Sequence, residues 1–169
     1  YTFQYADPPA ALIQTAMAVL EGETDITLTF GGDCTLGGEG SGAKRFAGAI
    51  AENGYGYPFA NLLPLFEQDD LTMVNLEGVL STRRLGKAEK TFTFIGSPEY
   101  ARLLTMGGVE CVSLANNHAL DYGEEGKRDT IAALDALSVA YCDDTYVTVL
   151  DKDGVRVGFT ASGLRFDRD

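Results

Sequence analysis

The sequence predicts an α/β protein built on a mostly parallel sheet, and three observations carry that expectation. Strand-like apolar runs alternate with segments of helical periodicity along the chain. Each of the first three such runs opens into a loop rich in carboxylates, carboxamides or glycine, as strands do at the carboxyl edge of an open sheet. Finally, 169 residues with 45% hydrophobic content suffice for one core and one domain.

Residues 1–24 read as a lead-in, in which Ile13, Met17 and Leu20 fall on one face of a helix after Pro8-Pro9. That apolar run is too short for a membrane span and no basic stretch precedes it. Because the chain opens at Tyr1, an export signal or anchor is expected to have been removed. Residues 25–169 read as a single domain. Alternation of polar and apolar residues predicts a first strand over 25–30, ending in Gly31-Gly32-Asp33-Cys34. A loose, glycine-rich stretch is expected to run on to Gly56. Pro58 then opens a short helix, with Phe59, Leu62, Leu63 and Phe66 at i, i+3, i+4 and i+7.

A second strand over 71–74 runs into Asn75-Leu76-Glu77-Gly78. A polar loop with Arg83, Arg84, Lys87 and Lys90 follows, then Phe92-Thr93-Phe94-Ile95. Ser97 is a good N-cap with Pro98 behind it, and the helix they start buries Tyr100, Leu103 and Leu104 before stopping at Gly107-Gly108. The third strand, over 109–114, leads into Asn116-Asn117-His118 and Asp121. A helix over 124–140 buries Ile131, Leu134 and Leu137. Last comes a hairpin, 146–150 and 155–161, around the turn Asp151-Lys152-Asp153-Gly154.

Formal net charge is −12, from 25 acids against 13 bases, which argues against nucleic acid or an anionic membrane as a general partner. An anionic substrate would need a cation or a local basic patch to attract it. Arg83, Arg84, Lys87 and Lys90 place four of the 13 bases within eight positions, a candidate patch for a polyanion or phosphate. The three cysteines are widely spaced without a CxxC, so they define neither a disulfide framework nor a thiolate zinc site. The glycines at 37–42 lack the following Gly-Lys-Ser/Thr of a phosphate loop.

Three consecutive strand ends converge on one kind of chemistry. Asp33 follows the first, Asn75 and Glu77 the second, and Asn116, Asn117, His118 and Asp121 the third. Carboxylate and carboxamide oxygens are hard ligands that suit Mn²⁺ or Mg²⁺ better than zinc or iron. A metal there would polarise a phosphoryl or carbonyl oxygen, and His118, the single histidine, would act as general acid with Asp121 beside it. The bland alternative has Asn116 and Asn117 capping a turn. Cys34 directly after Asp33 raises a lesser one, an SGNH-like esterase with a cysteine nucleophile and His118 as base.

Gly-Gly-Asp33, Leu71-Thr-Met-Val-Asn75-Leu-Glu77-Gly, Lys90-Thr-Phe-Thr-Phe94, Ala-Asn116-Asn117-His118-Ala-Leu-Asp121-Tyr-Gly and Gly126-Lys-Arg-Asp129-Thr130 follow one another in an order that resembles the bacterial capsule synthesis family of the poly-gamma-glutamate type. The likeness runs from about Ile26 to Ala161. That family is similar to the calcineurin-type metallophosphoesterases, which implies a helix-flanked β-sandwich with a two-metal site. The resemblance makes Asp33 and Asn117 metal ligands, lets Asn75 or Glu77 supply the bridging or second-metal position, and makes His118 the proton donor to the leaving oxygen. Asn116 lies one place too early for the ligand role; with Arg83, Arg84 and Lys90 it is a candidate substrate contact.

The chain departs from that pattern in two places. Thr35 stands where such phosphoesterases place a histidine, and none of the further histidines they supply later occurs after His118. The resemblance therefore implies the N-terminal part of a domain, with an incomplete metal site and apolar faces that would pair with the missing part or with a second copy. The expected function is capsule biosynthesis at the bacterial cell surface, alongside membrane-bound polymer synthase components, as a metal-dependent hydrolase of an anionic polymer or phosphoester. A non-catalytic polymer-binding or export component on the same fold is the alternative.

Overall fold

The computed structural model describes residues 25–163. Along the chain come β1 (Leu28–Cys34), α1 (Gly40–Asn53), a 3-10 turn at Tyr57–Phe59, the short α2 (Leu63–Phe66), β2 (Leu71–Leu76) and β3 (Val79–Leu80). They are followed by β4 (Ile95–Gly96), a 3-10 turn at Pro98–Tyr100 running into α3 (Ala101–Met106), β5 (Cys111–Ser113), α4 (Gly123–Asp135), β6 (Ala140–Cys142), β7 (Thr148–Lys152) and β8 (Val155–Phe159). Four strands form a parallel sheet in the order β1-β2-β5-β6, while β3 pairs with β4 and β7 with β8. The predicted α/β class with a mostly parallel sheet is the class observed.

Both faces of the central strands are covered, which is why β2 reads as a nearly continuous apolar run. Val74, Leu76, Val112 and Leu114 pack with Leu103, Leu104 and Leu134 of the helices. The alternate residues Leu71, Met73, Cys111 and Cys142 pack with Phe159, Leu150 and Val157 of the β7–β8 hairpin. Leu103, Leu104 and Leu134 are wholly buried, each contributing about 1.5–3 kcal/mol of transfer free energy. The hairpin turns at Asp153 (φ 52°) and Gly154 (φ 83°), two positive-φ residues as a type I′ turn requires. Lys127 of α4 donates to Asp143 just after β6 at 2.6 Å. Burial alone would raise the Asp143 carboxyl, but the bonds from Lys127 and Thr145 outweigh it and hold it at about 2.

Register matters most at β1. Phe30 faces Met73 and Asp33 faces Asn75, so Gly31-Gly32 inserts an extra residue as a bulge. The bulge brings Asp33 level with Asn75, which in turn pairs with Ser113 of β5. A Cβ on Gly31 would sit 2.9 Å from the Val74 side chain, so glycine is needed where β1 closes against β2.

Several boundaries differ from the sequence expectation. The first strand lies at 28–34 rather than 25–30, because the glycines extend the pairing instead of ending it. The stretch expected to be loose is α1, in which Phe46 and Ile50 pack into the core despite Gly42 and Gly48. The helix expected to reach 140 stops at Asp135; Ser138 takes a positive φ of 56° and the chain enters β6, an unpredicted strand. Leu137, expected in the core, is exposed as a result. The lead-in helix over residues 8–20 lies outside the described residues.

The loop after β1 crosses β4 backbone against backbone. Gly38 N–H donates to the Ile95 carbonyl at 3.0 Å, and a Cβ on Gly96 would stand 1.9 Å from the Leu36 carbonyl oxygen. No side-chain rotation relieves that overlap. Gly96→Ala is therefore expected to destabilise the fold by about 2–3 kcal/mol, read as a shift of the urea midpoint with an unchanged slope.

Candidate functional site

At the carboxyl edge of the sheet, a relay of carboxamides joins the three predicted strand ends. Asn116 Nδ2 donates both to the Leu76 carbonyl and to Asn75 Oδ1, each at 2.9 Å, while its Oδ1 accepts from His118 N–H at 2.9 Å. Those two backbone partners, an acceptor and a donor, leave Asn116 one amide orientation. Asn75 is fixed in consequence, and its Nδ2 donates to Asp33 Oδ1 at 2.7 Å. The side chain of Asn116 is thus occupied in joining β2 to the loop after β5. Asp33 ends the relay as an exposed carboxylate aimed by Asn75.

Beside the relay lies a second constellation around Asp121, a carboxylate with no exposed surface. His118 Nδ1 stands 2.7 Å from Asp121 Oδ2, which also accepts from Phe94 N–H at 2.7 Å. Lys90 Nζ lies 2.9 Å from Asp121 Oδ1, and it donates as well to the Asn117 carbonyl. Every other neighbour of this carboxylate is a donor, so His118 Nδ1 carries the proton, and Nε2 has no hydrogen-bond partner among the described residues. The Phe94 ring packs on the imidazole with centroids 4.4 Å apart. His118 is consequently held at one nitrogen and along one face, as a positioned proton carrier must be.

The remaining predicted residues divide. Glu77, half-buried, accepts from Thr35 Oγ1 at 3.3 Å, so the threonine standing in the expected histidine position touches a predicted ligand. Asn117 is exposed. The basic cluster is largely neutralised within the chain. Arg83 pairs with Glu125 at 2.8 Å and Asp129 at 3.2 Å, Lys87 pairs with Glu39, and Lys90 pairs with Asp121. Arg84 is exposed. Burial pushes the Cys34 thiol up to about 12, which leaves it protonated at neutral pH and poorly suited to nucleophilic attack.

Sequence reasoning missed two groups. Phe94 backs the imidazole, and the signal for it was its place four residues after Lys90 in a short aromatic block. Glu39 accepts from Tyr122 Oη at 2.9 Å and from Lys87, tying the loops after β1, β3 and β5 together. The Tyr122 hydroxyl is the main cause holding the Glu39 carboxyl below its ordinary range. Nothing in the sequence pairs residues 83 positions apart.

Among the described residues no three of His, Cys, Asp or Glu converge on one point. The local donors are the carboxylates of Asp33 and Glu77 and the carboxamide of Asn117. Such a set fits a hard cation that keeps water in its coordination shell, and it lacks the nitrogen or sulfur donors that zinc favours. Asn75, with its amide nitrogen turned to Asp33, orients that carboxylate.

A family model described as bacterial capsule synthesis protein PGA_cap matches residues 27–165, a span that contains every residue of the relay and of the Asp121 constellation. The chain is also similar to the capsule biosynthesis protein CapA of Bacillus anthracis, with 26% identity over 148 residues. That alignment covers 80% of this chain but only 34% of the relative's length. With most of its length matched by the family model, the chain belongs to the bacterial capsule synthesis protein family.

Proposed function

We propose that the strand-end cluster is a metal-assisted hydrolytic centre of phosphoesterase type, working in capsule synthesis on a phosphoester or an anionic polymer such as poly-gamma-glutamate. The observation that carries this reading is the His118–Asp121 pair joined through Asn116 to an exposed, oriented Asp33. Action at the cell surface, together with polymer synthase components, is part of the proposal and rests on the family's role. So is completion of the sheet into a β-sandwich.

The chain's own residues divide the work. Asp33, Glu77 and Asn117 are the oxygens that would hold Mn²⁺ or Mg²⁺, with Asn75 as a further candidate. When bound, the cation would supply Lewis-acid polarisation of the substrate oxygen. Asp121 holds His118 by Nδ1, which aims Nε2 to deliver a proton to the leaving oxygen. Phe94 excludes water from one face of the ring. Asn116 keeps the relay and the proton carrier in one frame.

Chelation tests the reading. Hydrolysis of bis-p-nitrophenyl phosphate is expected to fall to the uncatalysed background in EDTA and to return with Mn²⁺ or Mg²⁺. A protein that shows no metal-dependent turnover but retains a polyglutamate-binding isotherm would be a polymer-binding component instead.

A further inference from the structure

We infer that Lys90 is a positioning residue of this centre, acting through Asp121 and the Asn117 carbonyl, and not a substrate-binding cation; the inference rests on reading the cluster as hydrolytic. The ammonium has three N–H donors, and two of them are committed to the chain itself, one to Asp121 Oδ1 and one to the Asn117 carbonyl. Those two acceptors bracket His118 in sequence. Lys90 therefore clamps both ends of the loop segment that presents the proton carrier and the exposed carboxamide of Asn117.

Placement supports the same role. Lys90 sits on the irregular strap between β3 and β4, and the strap is anchored to the residue that the lysine contacts. Ala88 N–H donates to the Asp121 carbonyl at 2.8 Å, and Phe94 N–H to the Asp121 carboxylate at 2.7 Å. Asp121 is thus gripped by three strap residues, Ala88, Lys90 and Phe94. The other paired bases of the strap differ in degree: the Arg83–Glu125 and Lys87–Glu39 pairs have both partners well exposed, a setting in which an ion pair contributes little, and Arg83's second partner, Asp129, is itself 22% exposed. The Lys90 side chain is 37% exposed while its partner is at 0%, so its charge is spent inward on a buried carboxylate. A lysine waiting for an anionic substrate would keep its donors free.

Two readouts on the full chain test this. In Lys90→Met, kcat for bis-p-nitrophenyl phosphate with Mn²⁺ is expected to fall about 10–100-fold, the range of an outer-sphere orienting partner, with KM nearly unchanged and with partial recovery in Lys90→Arg. A raised KM with kcat retained would overturn the assignment. The second readout is independent of turnover, because the chain has one histidine and its imidazole ¹H–¹⁵N correlations belong to a single residue. The wild-type spectrum is expected to show one Nδ1–H tautomer, and Lys90→Met to broaden it or mix the two tautomers. An imidazole spectrum unchanged in Lys90→Met would sink the positioning role. Absence of metal-dependent turnover in the wild type would sink the hydrolytic reading instead, leaving the spectra to judge Lys90.

Discussion

His118→Gln is expected to lower kcat by about 10²–10⁴-fold, the usual contribution of a positioned general acid, with Mn²⁺ affinity essentially unchanged. The magnitude follows from how fully the ring is committed. Nδ1 is bonded to Asp121 at 2.7 Å, one face lies on Phe94, and only Nε2 remains to exchange a proton. No second imidazole exists in the chain to take over. Glutamine keeps length and polarity but cannot carry a proton at neutral pH, so it removes the chemistry with little change in packing. Steady-state kinetics beside a metal-binding isotherm checks both halves, since a loss of metal affinity would place His118 among the ligands.

Asp121→Ala is expected to cost about 3–5 kcal/mol of stability, as breaking a buried ion pair from one side commonly does. The carboxylate is wholly buried and meets Lys90 Nζ, His118 Nδ1 and Phe94 N–H. Alanine leaves all three donors without their acceptor. Lys90 recovers part of its hydration because its side chain reaches solvent, which places the loss toward the lower end of that range. The imidazole, with a side chain 12% exposed, recovers less. Urea unfolding measures the effect, and a loss below about 1 kcal/mol would mean that the strap does not depend on Asp121.

Much of the fold was legible because apolar periodicity reports burial directly. The nearly continuous apolar strand β2, the cap at Ser97 and the Asp-Gly turn all state their geometry in local sequence. Glycine was the main source of error. Gly31-Gly32 reads as a strand end but makes a bulge, and the glycines from 37 to 42 hide the start of a helix whose apolar stripe is sparse. Strand β6 was lost because an Ala/Leu-rich helix runs into it without a proline or glycine break. In the site, the residue types at the three strand ends were readable, but their partners were not. Asn116 reads in the sequence as a substrate contact, and nothing there shows that its side chain also crosslinks β2 to the third loop. Lys90 looked like one of four surface bases and proved to be tied to a carboxylate 31 positions away. Side-chain direction across such distances depends on register, and the bulge at Gly31-Gly32 sets the register that brings Asp33 beside Asn75.

In the proposed centre the strand ends make one oxygen-donor site for a hard cation, with Asp33 as its first ligand. Mn²⁺ binding, followed by loss of the free-ion electron paramagnetic resonance signal, tests it most directly in the wild type and in Asp33→Ala. Asp33 is exposed, so alanine there leaves the core intact. The wild type is expected to bind saturably, and Asp33→Ala to weaken that binding by more than about a hundredfold, beyond the effect of an outer-sphere partner. No saturable binding by the wild type, or equal affinity in the two proteins, would contradict it.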